Sequence, residues 1–207
     1  MAYLAGYQAN IYVASGAAVT FTNDPMTGDA ARVVYTIDAV TKRFWDRSTA
    51  VVVEKDIGAG YVLVDAADYT VNYAGGQIVF KVALPPGTLG VRVDGAYFAY
   101  SQLAQASEWN LEVSRELKES NVFGASWDTY EAVNGTGRLT AVRFWYDSFF
   151  YDQILTLLGF KLMPNSSGTA AWYAFGRVAS QSPKVTAKEL QVESLAFEVY
   201  GNIAYIP

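Results

Sequence analysis

The stretch "ASEWNLEVSRELKESNVFG", Ala106 to Gly124, decides the fold class. Its odd positions hold Trp109, Leu111, Val113, Arg115 and Leu117; its even positions hold Glu108, Asn110, Glu112, Ser114 and Glu116. Alternation with a period of two puts one set on a core and the other in water, which is the pattern of a half-buried β-strand. The polar face carries three carboxylates and no base of its own. Glu108, Asn110, Glu112, Ser114 and Glu116 are therefore the first candidate functional surface, and their uncompensated charge needs a reason.

The rest of the chain agrees with a mainly β fold. It has 207 residues, enough for one large or two small domains with a real core, and 52% of them are hydrophobic. Fifteen tyrosines and abundant valine suit pleated, half-buried surfaces. "NIYVASGAAVTFT" reads as two short strands around Ser15-Gly16, with "NDPMTGDAA" as a loop after them. "RVVYTID", "AVVVEKD", "YVLVD" and "LGVRVDGAYFAY" read as strands separated by turns, and "AVTKRFWD" as a short helical turn. "YTVNYAGGQIVFKVAL" is a hairpin around Ala74-Gly75-Gly76. "SQLAQAS" loses alternation and reads as a connector.

Lys118 to Gly137 is polar and glycine-bearing, too long for a tight turn, and reads as a loop with a task of its own. "SFFYDQILTLLG" is the one helix expected, capped by Asp147 or Ser148 and stopped by Gly159, with Phe150, Ile154, Leu157 and Leu158 on its buried face. "FKLMP", "AWYAFGRVAS" and "LQVESLAFEVYGNIAYIP" close the chain as strands. In the last, apolar residues change phase near Ser194, which predicts a bulge or bend.

Composition excludes several kinds of chemistry. Cysteine and histidine are both absent, so thiol chemistry, disulfides, Ser-His-Asp and Cys-His arrangements have no residues to use. The carboxylate pairs Glu54/Asp56, Asp65/Asp68 and Asp128/Glu131 could in principle serve glycoside hydrolysis; they read better as solvated turn residues. "DAADY" supplies too few oxygens for calcium, and "GAGYVL" lacks the glycine and lysine of a phosphate loop. The sequons at Asn134 and Asn165 have no secretion signal to support them. The net charge of −5, without any basic cluster, argues against tight nucleic-acid binding. The N-terminus shows no basic leader, and no apolar run is long enough to span a membrane. No catalytic residue, metal site or cofactor is assigned, and the chain is expected not to be an enzyme.

Residues 101–207 present a "W-x-L-x-V-S" strand, a long polar segment, a strand ending in Asp147, a short amphipathic helix, and strands ending near "V-Y-G". That order resembles the tail tube (major tail) proteins of long-tailed bacteriophages. "IYVASGAAVTFTNDPMT" resembles their opening hairpin, and "YTIDAVTKRFWD" with "DYTVNYAGGQIVF" resembles β-rich units attached to phage tail proteins.

The resemblance implies an antiparallel β-sandwich or barrel-like core with one flanking α-helix. It divides the chain into a discontinuous core, residues 1–27 and 101–207, and an inserted outer β-rich domain, residues 28–100. It implies a homo-oligomer, hexameric rings stacked into a tube, with tape measure and tail terminator proteins as further partners and transient, non-specific passage of DNA. Glu108, Asn110, Glu112, Ser114 and Glu116 would face the lumen, where negative charge keeps a polyanion sliding. Phe123, Trp127, Tyr130 and Glu131 would reach a facing ring. The location implied is the virion tail, with assembly in the host cytoplasm and no membrane. The alternative is a phage decoration or carbohydrate-binding β-domain that uses its aromatics for sugar.

Overall fold

The computed structural model describes residues 9–14, 16–120, 129–144, 149–163, 170–184 and 192–207. The strands in chain order are β1 (Ala9–Ala14), β2 (Val19–Gly28), β3 (Val34–Ile37), β4 (Val52–Asp56), β5 (Tyr61–Leu63), β6 (Tyr69–Asn72), β7 (Gln77–Phe80) and β8 (Gly90–Tyr97). They continue as β9 (Tyr100–Ser120), β10 (Thr129–Phe144), β11 (Leu157–Met163), β12 (Ala171–Lys184), β13 (Val192–Val199) and β14 (Ala204–Ile206). One helical turn, α1 (Phe149–Asp152), precedes β11. The molecule is mainly β, as its alternation predicts.

The strands form two sheets of seven, ordered β11-β1-β9-β10-β13-β12-β14 and β5-β4-β8-β2-β3-β7-β6. The chain divides into two compact units. Unit 1 holds residues 1–9, 104–157 and 176–200; unit 2 holds 10–103, 158–175 and 201–207. The boundary expected at residue 27/28 falls inside a sheet, because β2 pairs with both β3 and β8. "NDPMTG" is therefore the second half of β2 and not a loop. The strand survives its proline and polar residues through a register shift between Phe21 and Asp24. Asn23 there takes φ 55°, a left-handed conformation that Asn tolerates, and its N–H donates to Asp94 Oδ1 at 2.6 Å.

Among the described residues, unit 2 holds two apolar clusters. Ile37, Trp45, Val53, Ile78, Phe80, Val91 and Val93 build the first. Val91 and Val93 point inward from β8 while Arg92 and Asp94 do not, the period-two division of a strand covered on one face; β8 is interior to its sheet because it pairs with both β2 and β4. Burying each such aliphatic side chain is worth roughly 1.5–3 kcal/mol. The expected hairpin appears as β6 and β7. Gly76 turns it at φ 60°, and a Cβ there would stand 2.8 Å from Ile37 Cγ2. The second cluster gathers Ala14, Phe44, Met163, Tyr173 and Phe175, with Tyr12 and Tyr100 packed against it.

Unit 1 is built on β9, β10, β13 and the C-terminal part of β12. Leu139, Ala141, Val178, Leu195 and Phe197 are buried along its core face. "SQLAQAS" belongs to β9 and is not a connector. Most of the expected Lys118–Gly137 loop is also strand: Lys118 pairs with Glu131 and Ser120 with Thr129, so a long hairpin replaces the loop. Residues 121–128 lie outside the described residues.

The twelve-residue helix is corrected to the single turn α1. Leu155 adopts φ 67°, which ends a right-handed helix. The chain is held at that point by pairing: Ile154 bridges Val178 and Leu155 N–H donates to the Val178 carbonyl at 3.3 Å. Leu157 and Leu158 belong to β11. Gly159 is not a helix stop; it sits in β11, where a Cβ would lie 2.6 Å from Phe44 Cδ1. Phe150 is buried against Phe197, ring centroids 5.6 Å apart, and Leu158 is buried, but Ile154 and Leu157 are exposed.

The bulge expected near Ser194 is absent from β13 itself, which pairs one-to-one with β10 from Val192 to Val199. The apolar pattern changes phase because a carboxylate occupies a core position: Glu193 is buried, and Gln181 Nε2 donates to its Oε2. The register shift lies instead in β12, between Val178 and Ser180.

Candidate functional site

The alternation read from the sequence is the alternation of exposure. Glu108, Asn110, Glu112 and Ser114 are exposed on β9, while Trp109 and Leu111 are half-buried. Val113 is 56% exposed, so the core face thins toward that end. Glu116 lies in β9 at the register shift that falls between Ala132 and Gly135 of β10.

The neighbouring strands change the electrostatics of this face. Residues directly opposite in antiparallel strands share a face, with Cβ atoms about 4.5–5.5 Å apart. Glu112 stands opposite Arg138, Arg138 opposite Glu198, and Glu198 opposite Arg177. A row across four strands thus alternates in sign. The next two rows on the Glu108 side carry little charge. One runs Asn110, Thr140, Ala196, Ser180; the other runs Glu108, Val142, Ser194, Ser182. The expectation of a stripe with nothing to neutralise it is corrected: among the described side chains, β10 and β12 bring Arg138 and Arg177 to that face.

The surface is concave. A hollow of about 700 Å³ is lined by Glu112, Ser114, Arg138, Ser180, Ala196 and Glu198 among others. A second, of about 300 Å³, shares Arg138, Ser180 and Ala196 and continues past Glu108, Thr140 and Ser194. Gly137 keeps the strands close on the other face, since a Cβ there would lie 2.8 Å from Val199 Cβ.

Chemically this is a polar surface suited to contact. Glu108 and Glu112 are four residues apart on one strand, about 13 Å at the usual rise, whereas paired glycosidase carboxylates stand about 5–9.5 Å apart. Three carboxylates of the other pairs weighed from the sequence have local tasks. Glu54 bonds Arg92, Asp56 accepts from Gly58 N–H, and Asp65 caps a 3-10 turn through Ala67 N–H. Asp128 lies outside the described residues.

Of the four residues expected to contact a facing ring, Phe123 and Trp127 lie outside the described residues. Tyr130 and Glu131 are in β10, opposite Glu119 and Lys118. Arg138, Arg177 and Glu198 are the members of the face that sequence reasoning missed. The signal was present in "RLTAVRF", where Arg138 and Thr140 alternate with Leu139 and Ala141, but it needs the hairpin register to be used.

No protein-family model matches the chain, and no curated protein matches it. Solved structures are similar to part of it. One is described as the tail of an empty gene transfer agent particle with C6 symmetry: TM-score 0.42, 11% identity, covering 53% of this chain and 87% of that one. Another, the virion of a native gene transfer agent particle, has TM-score 0.42 and 11% identity, covering 52% of this chain and 89% of that one.

Proposed function

We propose that this protein is a structural subunit of a bacteriophage-type tail tube, polymerising as stacked rings around a channel through which DNA passes. In this reading the polar face of β9, β10, β13 and β12 lines the channel. The observation that carries the proposal is the character of that face: exposed, concave, rich in hydroxyls and small side chains, with its charges alternating along one row.

DNA gains affinity for each phosphate that a lysine or arginine neutralises, because condensed counterions are released. A channel wall with free cations would hold DNA in place. Here Arg138 stands between Glu112 and Glu198, and Arg177 beside Glu198. Among the described side chains, the face sets Glu108, Glu112 and Glu198 against these two arginines, a difference of one carboxylate. Such a wall neither binds a polyanion nor repels it strongly. This replaces the strongly acidic lining expected from β9 alone.

The order of elements in residues 101–207, which resembles that of tail tube proteins, supports the same reading. Ring closure would also pair strand edges that otherwise invite aggregation. Further copies of the chain are the principal partners in this account, with tape measure and tail terminator proteins at the tube ends and the virion tail as location. Catalysis plays no part in it.

Negative-stain microscopy of the purified protein tests the proposal, with rings or tubes of uniform diameter as the expected image. Particles that stay monomeric at high concentration, together with saturable binding of a sugar, would move the chain to the decoration or carbohydrate-binding class.

A further inference from the structure

The second cluster of unit 2 contains charge as well as rings. Arg43 follows the 3-10 turn at Val40–Lys42, and Lys161 lies in β11 directly opposite Tyr12 of β1. Arg43 Nη1 donates to the Tyr173 hydroxyl at 2.9 Å, and its guanidinium carbon stands 5.3 Å from the Tyr173 ring centroid. Lys161 Nζ lies 5.0 Å from the Tyr12 ring, 5.4 Å from that of Tyr100 and 5.9 Å from that of Tyr173. Two cations therefore share one tyrosine.

Neither has an anionic partner among the described residues; the ion pairs of unit 2 described there are Lys42–Asp24 and Arg92–Glu54. Arg43 Nε is buried with no acceptor. Burial first, and then the charge of Arg43, push the Lys161 ammonium below its ordinary range. The charged groups acting on Tyr100 and Tyr173 are Arg43 and other tyrosines, and no carboxylate is among them. Asp29 and Asp38 share a hollow of about 570 Å³ with Arg43, yet neither forms an ion pair with it. Cation–π contact softens such an arrangement but leaves donors unused.

We infer that Arg43 and Lys161, framed by Tyr12, Tyr100 and Tyr173, form a binding site for an oxyanion, a carboxylate or phosphate group. A planar guanidinium fork beside a compact ammonium supplies charge-assisted donors from two directions, and tyrosine rings wall the site on the other sides. The site belongs to unit 2 and is independent of the polar face of unit 1. The oxyanion has two candidate sources, a free anion or the carboxylate of a second copy.

Lys161 reports on its own occupancy. The rate at which an N-hydroxysuccinimide ester acylates it is measured by peptide mass spectrometry, with Lys55 and Lys81 as internal references. At matched ionic strength, inorganic phosphate in place of chloride should slow Lys161 several-fold and leave the references unchanged. Arg43→Gln should abolish that protection; the wild-type comparison stands even if the variant folds poorly. Protection of Lys161 that rises with protein concentration, while both reference lysines keep their rates, assigns the oxyanion to a neighbouring copy. Protection by phosphate alone assigns it to a free anion. A Lys161 rate that follows the references under both conditions overturns the proposal.

Discussion

Arg138 is the residue on which the character of the polar face turns. It sits opposite Glu112 on one side and Glu198 on the other. Replacing it with glutamate would line three like charges across adjacent strands, and opposed like charges destabilise a sheet by up to about 1 kcal/mol per pair. Arg138→Glu should therefore lower the urea midpoint, with the loss shrinking as salt screens the row; Arg138→Ser should cost much less. An unchanged midpoint at low salt would mean the row is not electrostatically coupled. The tyrosines of unit 2 give a second test. Burial, helped by Tyr173, raises the Tyr100 phenol to about 12, and burial raises Tyr173 as well. A group whose folded pKa is raised contributes stability that is whole below its unfolded value, near 10, and is lost as pH climbs through the folded value. Stability should fall between about pH 10 and pH 12, and Tyr100→Phe should flatten part of that fall. Lys161, pushed down, acts with the opposite sign below its ordinary value of 10.5. None of these pairings is local in sequence. Glu112 and Arg138 meet only once the hairpin register is set, so the alternation at 108–114 was legible while its neutralising partners were not.

Among the elements, the segment after Phe149 shows how far periodicity reaches. Phe150, Ile154, Leu157 and Leu158 fit one face of a helix, and the same letters also fit a helical turn followed by a buried strand. What decides is tertiary: the positive φ of Leu155, the contact of Ile154 and Leu155 with Val178, and the space that Phe44 takes over Gly159. The two descriptions differ in what mutation does. Phe150→Ala should cost about 3–5 kcal/mol, as for other buried aromatic truncations, because Phe150 is 1% exposed against Phe197. Ile154→Ala, at a site 41% exposed, should stay within about 1 kcal/mol. Equal losses in denaturant melts would restore the amphipathic helix. Gly159→Ala should be destabilising by about 1–3 kcal/mol through overpacking against Phe44, and pairing it with Phe44→Leu should recover part of that loss. The hairpin at β6 and β7 was legible because its turn chemistry is local. The continuation of β2 through Pro25 was not, because a bulge accommodates residues that ordinarily end a strand.

For the molecule as a whole, the sequence carried the fold class and one face of one strand, and the assembly remains the proposal that ties them together. With the hairpin extending to Ser120 and Thr129, the segment proposed to join rings narrows to residues 121–128. Deleting it should leave a folded protein that forms rings without forming long tubes, read by microscopy; long tubes from the deletion would remove that role. The division into two units also restates the outer-domain proposal: a replacement of residues 28–100 would cut β3 to β8 away from β2, so a shortened chain that keeps β2 should expose Phe21 and Met26 and aggregate. The most direct test of a channel lined by the polar face uses the absence of cysteine from the chain. A single Asn110→Cys variant places one thiol on that face, and a Lys55→Cys variant places one in unit 2. In dissociated protein both thiols should react with a small maleimide and with a maleimide carried on a large polymer. In assembled tubes the account predicts that Cys at 110 still reacts with the small reagent, entering from the ends, and is refused to the large one, while Cys at 55 accepts both. Equal reaction of the position-110 thiol with both reagents in intact tubes would contradict it.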